Sequence, residues 1–287
     1  MVRLLPLLLS LLLAASAARA QAPTSPPLAP ACYTKTYQDS LVARYLDRGA
    51  EKYGYLDPRW AQYCDSLISR CPNIAIAYQR KAVPLIKDGK WEEAFALENK
   101  AVALDPRRWL AYRGFLKVIK TKDYSGGIAD FQQAARLNPD GREMDHTYPF
   151  FIGLSNLELG RYAAAEANFK QDIQLQKSSG SGEIHFNTQF YLGVLYYERK
   201  QYALAETYLQ QCLQQYAQHP DARYYLALAY RAQGREAAAR QQLALAQTAL
   251  AHGYRLNEDN IVYENYPHQI TAYEVQQALA SGRIVVH

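Results

Sequence analysis

Two stretches of the chain repeat the same order of polar and apolar positions. Residues 89–106 read GKWEEAFALENKAVALDP, and residues 122–139 read KDYSGGIADFQQAARLNP. In both, an aromatic residue precedes a small residue, then an apolar face with helical spacing, then a proline. Apolar residues three and four positions apart predict amphipathic helices. Proline ends a helix because it lacks a backbone N–H and restricts the residue before it. The repetition predicts an array of similar helical units.

Five segments align when the small residue after the aromatic residue is matched along the chain. The matched positions hold Ala94, Gly127, Ala165, Ala205 and Ala239. The residue three positions earlier is aromatic in the first four segments, and Glu236 takes its place in the fifth. Tight turns such as LGRY (159–162) and QGRE (233–236) precede the small residue. Each unit is therefore predicted to contain two helices that approach each other closely.

These features together resemble the tetratricopeptide repeat, a helix-turn-helix unit of about 34 residues. The resemblance implies an all-α fold, a right-handed superhelical array of such units. It covers five units within residues 73–252, with approximate bounds 73–106, 107–139, 146–178, 186–219 and 220–252. Repeat arrays need end pieces that cover an apolar face. Residues 36–72 fit a degenerate leading repeat, and residues 253–287 fit a C-terminal cap in which Thr271 and Glu274 begin a short helix.

Two segments precede the array. Residues 1–20, MVRLLPLLLSLLLAASAARA, have a basic start, a short apolar run and an A-x-A ending, which predict a signal peptide cleaved after Ala20. An uncleaved weak anchor is the alternative. Four prolines in residues 21–30 predict a flexible lead-in over residues 21–35. The sequence thus predicts a periplasmic or secreted protein, with no membrane insertion after cleavage because no second apolar stretch reaches spanning length.

An exported chain meets an oxidising compartment, where its four cysteines can pair. Cys64 and Cys71 are seven residues apart, which is too far for a disulfide if both lie on one helix. Cys32 lies in the lead-in and can reach either of them. The pair Cys32–Cys71 is favoured, because Cys71 precedes Pro72 at a helix end. Cys212 falls in a helix core and is expected to remain a buried thiol.

In the resembled family, the first helices of successive units line a concave ligand-binding groove. Four of the five residues at the fifth position of these helices are aromatic, which favours a groove for an extended peptide or helix. Asn187 and Asp221, at the second position, are expected to hold backbone or polar groups. The alternative is that the rings pack helix against helix. The implied binding residues are Trp109, Tyr112, Phe150, Leu154, Asn187, Phe190, Val194, Tyr224 and Leu228.

A polar pocket is a second candidate site, formed where two first helices begin. Asp145, His146, Thr147 and His185 come together when residues 144–154 are aligned with residues 184–194. Helix starts favour such residues as caps, and capping is the favoured interpretation. A polar ligand contact, or a metal or acid–base site of hydrolase type, is the alternative. The spacing matches no known metal motif, and no metal or other cofactor is expected.

The distribution of charge and the absence of catalytic motifs bear on two further classes of function, nucleic-acid binding and catalysis. The net charge is +5, with basic residues interspersed among acidic ones, so a nucleic-acid partner has little support. The sequence contains no catalytic signature such as G-x-S-x-G or H-E-x-x-H. The leading hypothesis is a non-enzymatic scaffold for a protein or peptide partner, ahead of the hydrolase-like site. A third hypothesis is a homo-oligomer in which residues 253–287 fill a groove. The sequence leaves open whether the groove is free or filled by that segment.

Overall fold

The computed structural model describes residues 29–178, 183–255 and 266–281. The predicted signal peptide and most of the lead-in lie outside these residues. The described chain begins with 3-10 turns at Pro30–Tyr33 and Ala50–Lys52 that flank helix α1 (Lys35–Val42). A π-helical turn, Ala43–Asp47, extends α1, and helix α2 (Pro58–Arg70) packs beside them. These elements form the leading unit of the fold.

Helical hairpins follow one another along the rest of the chain. In each, a first helix packs against a second helix, which then contacts the next hairpin. The predicted all-α architecture of helix-turn-helix units is confirmed. The pairs are α3 (Ala75–Lys87) with α4 (Trp91–Leu104), α5 (Pro106–Phe115, extended by a π-helical turn at Leu116–Lys120) with α6 (Tyr124–Leu137), α7 (Tyr148–Glu158) with α8 (Tyr162–Ser178), α9 (Phe186–Glu198) with α10 (Tyr202–Gln215), and α11 (Pro220–Ala232) with α12 (Glu236–Ala251).

The small residues stand where the two helices of a hairpin touch. A Cβ atom on Gly193 of α9 would lie 2.5 Å from Cγ of Leu209 in α10. The side chain of Leu209 therefore packs directly against the backbone of α9. The aligned alanines Ala165, Ala205 and Ala239 are fully buried for the same reason. Gly160 has a φ of +67° in the turn between α7 and α8, a conformation that glycine adopts without steric cost.

A short hairpin interrupts the array between α6 and α7. Strands β1 (Arg142–Glu143) and β2 (His146–Thr147) pair antiparallel, with Arg142 opposite Thr147. Met144 takes a φ of +47° in the connecting turn. The hairpin places His146 and Thr147 directly before the first turn of α7, where both are buried.

A disulfide closes the leading unit. It joins Cys32 to Cys71, the pair favoured by the sequence, with Cα atoms 5.6 Å apart and a sequence separation of 39. Cys64 and Cys212 are buried free thiols. Trp60 Nε1 in α2 donates a hydrogen bond to the carbonyl oxygen of Arg80 in α3. The leading unit is thereby fixed to the first hairpin.

Helix α13 (Ala272–Ser281) covers the end of the array. Its Val275 and Ala278 are fully buried in the main core, against α12. A capping box starts the helix: Glu274 Oε2 accepts from the backbone N–H of Thr271, and Thr271 Oγ1 accepts from that of Tyr273. Across the described ranges, no helix is both long and apolar enough to cross a bilayer.

Candidate functional site

Residues 266–270, here called the tail turn, lie against the first helices of three consecutive hairpins. They contact Glu158 of α7, Tyr191 of α9, and Asp221 and Tyr225 of α11. These four residues are called the docking face below. Because they come from first helices, the tail turn occupies the side of the array on which the sequence predicts a groove.

The tail turn has the backbone of a type II β-turn. The backbone N–H of Gln269 donates to the carbonyl oxygen of Tyr266 at 3.2 Å. Pro267 holds the second position, and His268, with a φ of +62°, holds the third. A type II turn favours proline at the second position and requires a positive φ at the third, where glycine is usual. A histidine stays in this conformation only when surrounding contacts hold it there.

Two contacts of the docking face bind the backbone of the tail turn. Tyr191 Oη donates to the carbonyl oxygen of Pro267 at 3.0 Å. The backbone N–H of Ile270 donates to Oδ1 of Asp221 at 2.7 Å, and both groups are buried. Hydrogen bonds to main-chain atoms give affinity for a chain conformation, whereas side-chain contacts give specificity. The docking face therefore has the chemistry to hold the backbone of a turn segment.

His268 supplies the side-chain contact. Its Nδ1 lies 2.9 Å from Oη of Tyr225, and its Nε2 lies 2.8 Å from Oε1 of Glu158. Burial raises the pKa of Tyr225 well above its ordinary value, so the phenol keeps its proton and can donate it to Nδ1. Nδ1 then acts as the acceptor for Tyr225, while Nε2 lies within ion-pair distance of Glu158 but makes no hydrogen bond to Oε1. Tyr124 Oη in α6 donates to the other oxygen of Glu158 at 3.2 Å and fixes the carboxylate.

Burial governs the ionisation of Asp221 and its neighbour. Burial raises the pKa of Asp221 to about 7, against the opposing effect of the Ile270 N–H. Burial lowers the pKa of His219 to about 3, so this imidazole is neutral and caps α11 by accepting the N–H of Ala222. His219 Nδ1 is 3.5 Å from Oδ2 of Asp221. Because a neutral imidazole carries no compensating charge, the tail N–H is an important partner of this carboxylate.

Most of the predicted groove residues lie in the interior beneath the docking face. Phe150 stacks on His146 at 3.9 Å, and the ring of Phe190 is 4.9 Å from that of His219. Tyr112 is half-buried. The rings that contact the tail turn are those of Tyr191 and Tyr225. Each follows directly after a predicted groove residue, Phe190 or Tyr224. The buried members of the predicted set are Trp109, Phe150, Leu154, Asn187, Phe190, Val194, Tyr224 and Leu228.

The predicted polar-pocket residues stand at two helix starts. Thr147 caps α7 by accepting from the N–H of Phe150, and His185 caps α9 by accepting from that of Asn187. His146 is buried with its ring 4.8 Å from that of His185. Asp145 is exposed and lines, with His185, a cavity of about 230 Å³. No group of three or more His, Cys, Asp or Glu side chains suited to a metal ion occurs in the ranges that the structure covers.

A buried carboxylate links the neighbouring hairpins. Asp172 of α8 is fully buried and accepts hydrogen bonds from Thr147 Oγ1, Gln176 Nε2 and Thr188 Oγ1, at 2.8, 2.8 and 2.6 Å. The aligned positions of other units hold a small residue, Ala134 or Cys212. A charged residue at a position of small residues is the signal from which this network could be found. No comparable signal marks Glu158, Tyr191 and Tyr225, because their partner lies outside the repeats.

Residues 188–219 match a family model of the tetratricopeptide repeat. The resemblance seen in the sequence is thereby confirmed, and the fold agrees with it. No curated protein matches the chain significantly.

Solved structures extend the likeness to most of the chain. PilW, a widely conserved type IV pilus biogenesis factor, aligns with 76% of this chain and 96% of its own, at 14% identity and a TM-score of 0.60. A tetratricopeptide repeat protein from Parabacteroides merdae aligns with 76% of this chain and 87% of its own, at 15% identity and 0.58. A chain of the APC/C hetero-tetramer Cut9-Hcn1 aligns with 86% of this chain and 45% of its own, at 16% identity and 0.59. At identities this low, the structural likeness shows a shared fold alone.

Proposed function

We propose that this protein is an exported, non-enzymatic scaffold that binds a peptide or protein segment of a partner on its first-helix side. The observation that carries the proposal is the tail turn itself. Tyr191 and Asp221 hold the backbone of that segment through its Pro267 carbonyl and Ile270 N–H. A surface that binds one turn segment through main-chain atoms is suited to bind another of similar shape.

Two features support export. The first twenty residues have the pattern of a signal peptide. The disulfide between Cys32 and Cys71 is of a kind that persists in oxidising compartments and is rare in the cytosol. We therefore propose the periplasm or the medium as the location of the protein. Mass spectrometry of the protein purified from its native cells tests this, because a mature chain should begin at Gln21 with the disulfide intact.

The chemistry of the docking face favours binding over catalysis. Tyr225, His268 and Glu158 stand in the order hydroxyl, imidazole, carboxylate, which superficially matches an acid–base relay. A nucleophile needs a lowered pKa or an adjacent base that can take its proton. The imidazole of His268 is an adjacent base, but burial raises the pKa of Tyr225 and so opposes the loss of its proton, and the imidazole belongs to the segment that is bound. The relay is thus better explained as recognition of a histidine side chain.

Photo-cross-linking in the native cell envelope tests the proposed binding. A photo-reactive residue replaces Tyr112 or Tyr225 on first helices, and Leu204, which is 44% exposed on the second helix α10, serves as the control position. We expect one foreign protein to be attached at Tyr112 and Tyr225 but not at Leu204. Cross-links confined to this protein's own sequence would contradict a foreign partner. Cross-links between differently isotope-labelled copies would instead establish self-assembly.

A further inference from the structure

We infer that the tail turn occupies the site at which the partner binds. The partner binds by displacing the tail turn with a similar turn of its own. The inference rests on the proposed function and specifies the partner's chemistry. The segment expected is an aromatic residue, proline, histidine, glutamine and a branched aliphatic residue. We assign it to a foreign protein, because in this chain the same segment is already docked and is held beside its site by α13, which Val275 and Ala278 anchor in the core.

Each element of this pattern follows from a contact. Tyr266 and Ile270 are buried, with 1% and 6% of their surfaces exposed, so apolar side chains are required at both ends. Proline at the second position favours the type II turn that directs its carbonyl to Tyr191. Histidine at the third position fills the space between Tyr225 and Glu158 with one ring nitrogen toward each. The side chain of Gln269 accepts the N–H of Tyr266 within the turn itself, so glutamine at the fourth position supports the turn.

The tail turn competes strongly because it is tethered. Helix α13 follows it directly and is anchored in the core by Val275 and Ala278. Short tethers give effective concentrations on the order of millimolar. A partner segment in trans therefore binds weakly until the tail turn is loosened. His268 is the residue through which loosening occurs, because its positive φ is unfavourable and its two ring contacts hold it in place.

A peptide-binding measurement on the full mature chain tests the inference. The probe is the fluorescent peptide ENYPHQITA, which has the sequence of residues 264–272. His268→Ala removes the contacts with Tyr225 and Glu158 and should undock the tail turn. His252→Ala changes an exposed histidine outside the turn and is the matched control. We expect the His268→Ala protein to bind the peptide at least about tenfold more tightly than the wild type does, because the tethered tail turn competes less well. The His252→Ala control should bind the peptide as the wild type does.

Two further changes test the recognition pattern in the His268→Ala protein. Tyr191→Phe removes only the hydroxyl that donates to the carbonyl of Pro267, and it should weaken peptide binding about fivefold. The peptide ENYAAQITA lacks the proline and histidine and should not bind. Equal binding of both peptides, or no effect of Tyr191→Phe, would overturn the inference.

A second variant covers the case in which His268→Ala leaves the tail turn docked. Residues 266–270 are replaced by Gly-Ser-Gly-Ser-Gly, and α13 is retained. If this protein also fails to bind ENYPHQITA, the inference is wrong, whereas cross-linking of a foreign protein would still support the proposed function. If the peptide binds but no foreign protein is cross-linked, the proposed function fails instead. Concentration-dependent dimers of the His268→Ala protein in sedimentation would identify a second copy as the occupant and overturn the foreign partner.

Discussion

The backbone N–H of Ile270 donates a 2.7 Å hydrogen bond to Oδ1 of Asp221, which lies 49 residues earlier in the chain. Both groups are buried, and the carboxylate comes from the first turn of a first helix. One hydrogen bond thus ties a segment outside the repeats to a position that the repeats provide. The C-terminal segment therefore lies on the docking face as well as at the end of the array.

Removal of the Asp221 carboxylate should release Ile270. A buried hydrogen bond to a charged acceptor contributes roughly 1.5–3 kcal/mol. At pH 8, above the pKa of about 7, Asp221→Ala should speed amide exchange of Ile270 by about tenfold to a hundredfold. Hydrogen-exchange mass spectrometry of residues 266–281 measures this. Asp221→Asn keeps an oxygen acceptor in place and should retain most of the protection. Unchanged exchange in Asp221→Ala would show that other contacts hold the turn.

Glu98 should lower the stability of the protein as the pH rises from about 4.5 to about 8. Both of its carboxylate oxygens are buried without a hydrogen-bond partner, and burial raises its pKa from 4.5 to about 8. The folded state keeps this proton up to about pH 8, whereas the unfolded chain loses it above about pH 4.5. The contribution of Glu98 to the free energy of unfolding therefore falls as pH rises through this window and is constant above it.

Glu98→Leu tests this effect, because the aligned positions hold Phe131, Phe169, Leu209 and Leu243. At pH 8 the variant should be roughly 2–4 kcal/mol more stable than the wild type, and the difference should shrink toward pH 5. Urea unfolding at several pH values measures it. Glu93→Leu, at an exposed position of the same helix, is the control and should show no such pH dependence. An equal gain at pH 5 and pH 8 would attribute the effect to packing alone.

Loss of the disulfide should weaken the leading unit. Cys32 and Cys71 have a sequence separation of 39, and for a closed loop of this length chain entropy predicts a contribution of about 3–4 kcal/mol. Cys32→Ser/Cys71→Ser should therefore lower the denaturant midpoint, with exchange rising most in α1 and α2. Thiol counting checks the starting state. Burial raises the pKa of Cys64 to about 12, and also raises that of Cys212, so native protein should react slowly. Two thiols should appear on unfolding and four after reduction.

Gly193→Ala should destabilise the fourth hairpin. The added Cβ would lie 2.5 and 2.7 Å from two side-chain carbons of Leu209, which is fully buried and has no free space to move into. Overpacking costs about 1–3 kcal/mol, and alanine regains up to about 1 kcal/mol of helix propensity. A net loss of about 1–2 kcal/mol is expected in thermal or urea unfolding. Leu209→Val in the same chain should recover part of it, and strict additivity of the two changes would argue against the contact.

The repeat architecture could be predicted because one helical pattern recurs along the chain. Ala165 and Ala205 mark the helix crossings in the sequence and are fully buried in the structure. The orientation of the first helices could not be predicted in the same way. In α7 and α9 almost every residue is buried, so no polar stripe indicates which side faces outward. A shift of one position rotates a side chain by about 100°, which is why Tyr191 meets the tail turn while Phe190 packs inside.

The occupied docking face could not be predicted from periodicity either. Its contacts join residues far apart in sequence, and the pattern of each helix describes only local structure. In the sequence, the proline and histidine of the tail turn indicate only an irregular segment. The structure shows that His268 lies between Tyr225 and Glu158. Buried polar groups signal such sites more clearly than aromatic spacing does, because a buried carboxylate such as Asp221 requires a partner.

Separate residues govern the cap and the occupied face of this array. Val275 and Ala278 hold α13 on α12, whereas the tail turn is held by Tyr191, Asp221 and the contacts of His268. Tyr266 and Ile270 of the turn belong to the same buried core, so release of the turn would expose apolar surface even while α13 still covers the end of the array. Changes in residues 266–270 would therefore alter how firmly the turn is docked, whereas damage to α13 would uncover the apolar end of the array.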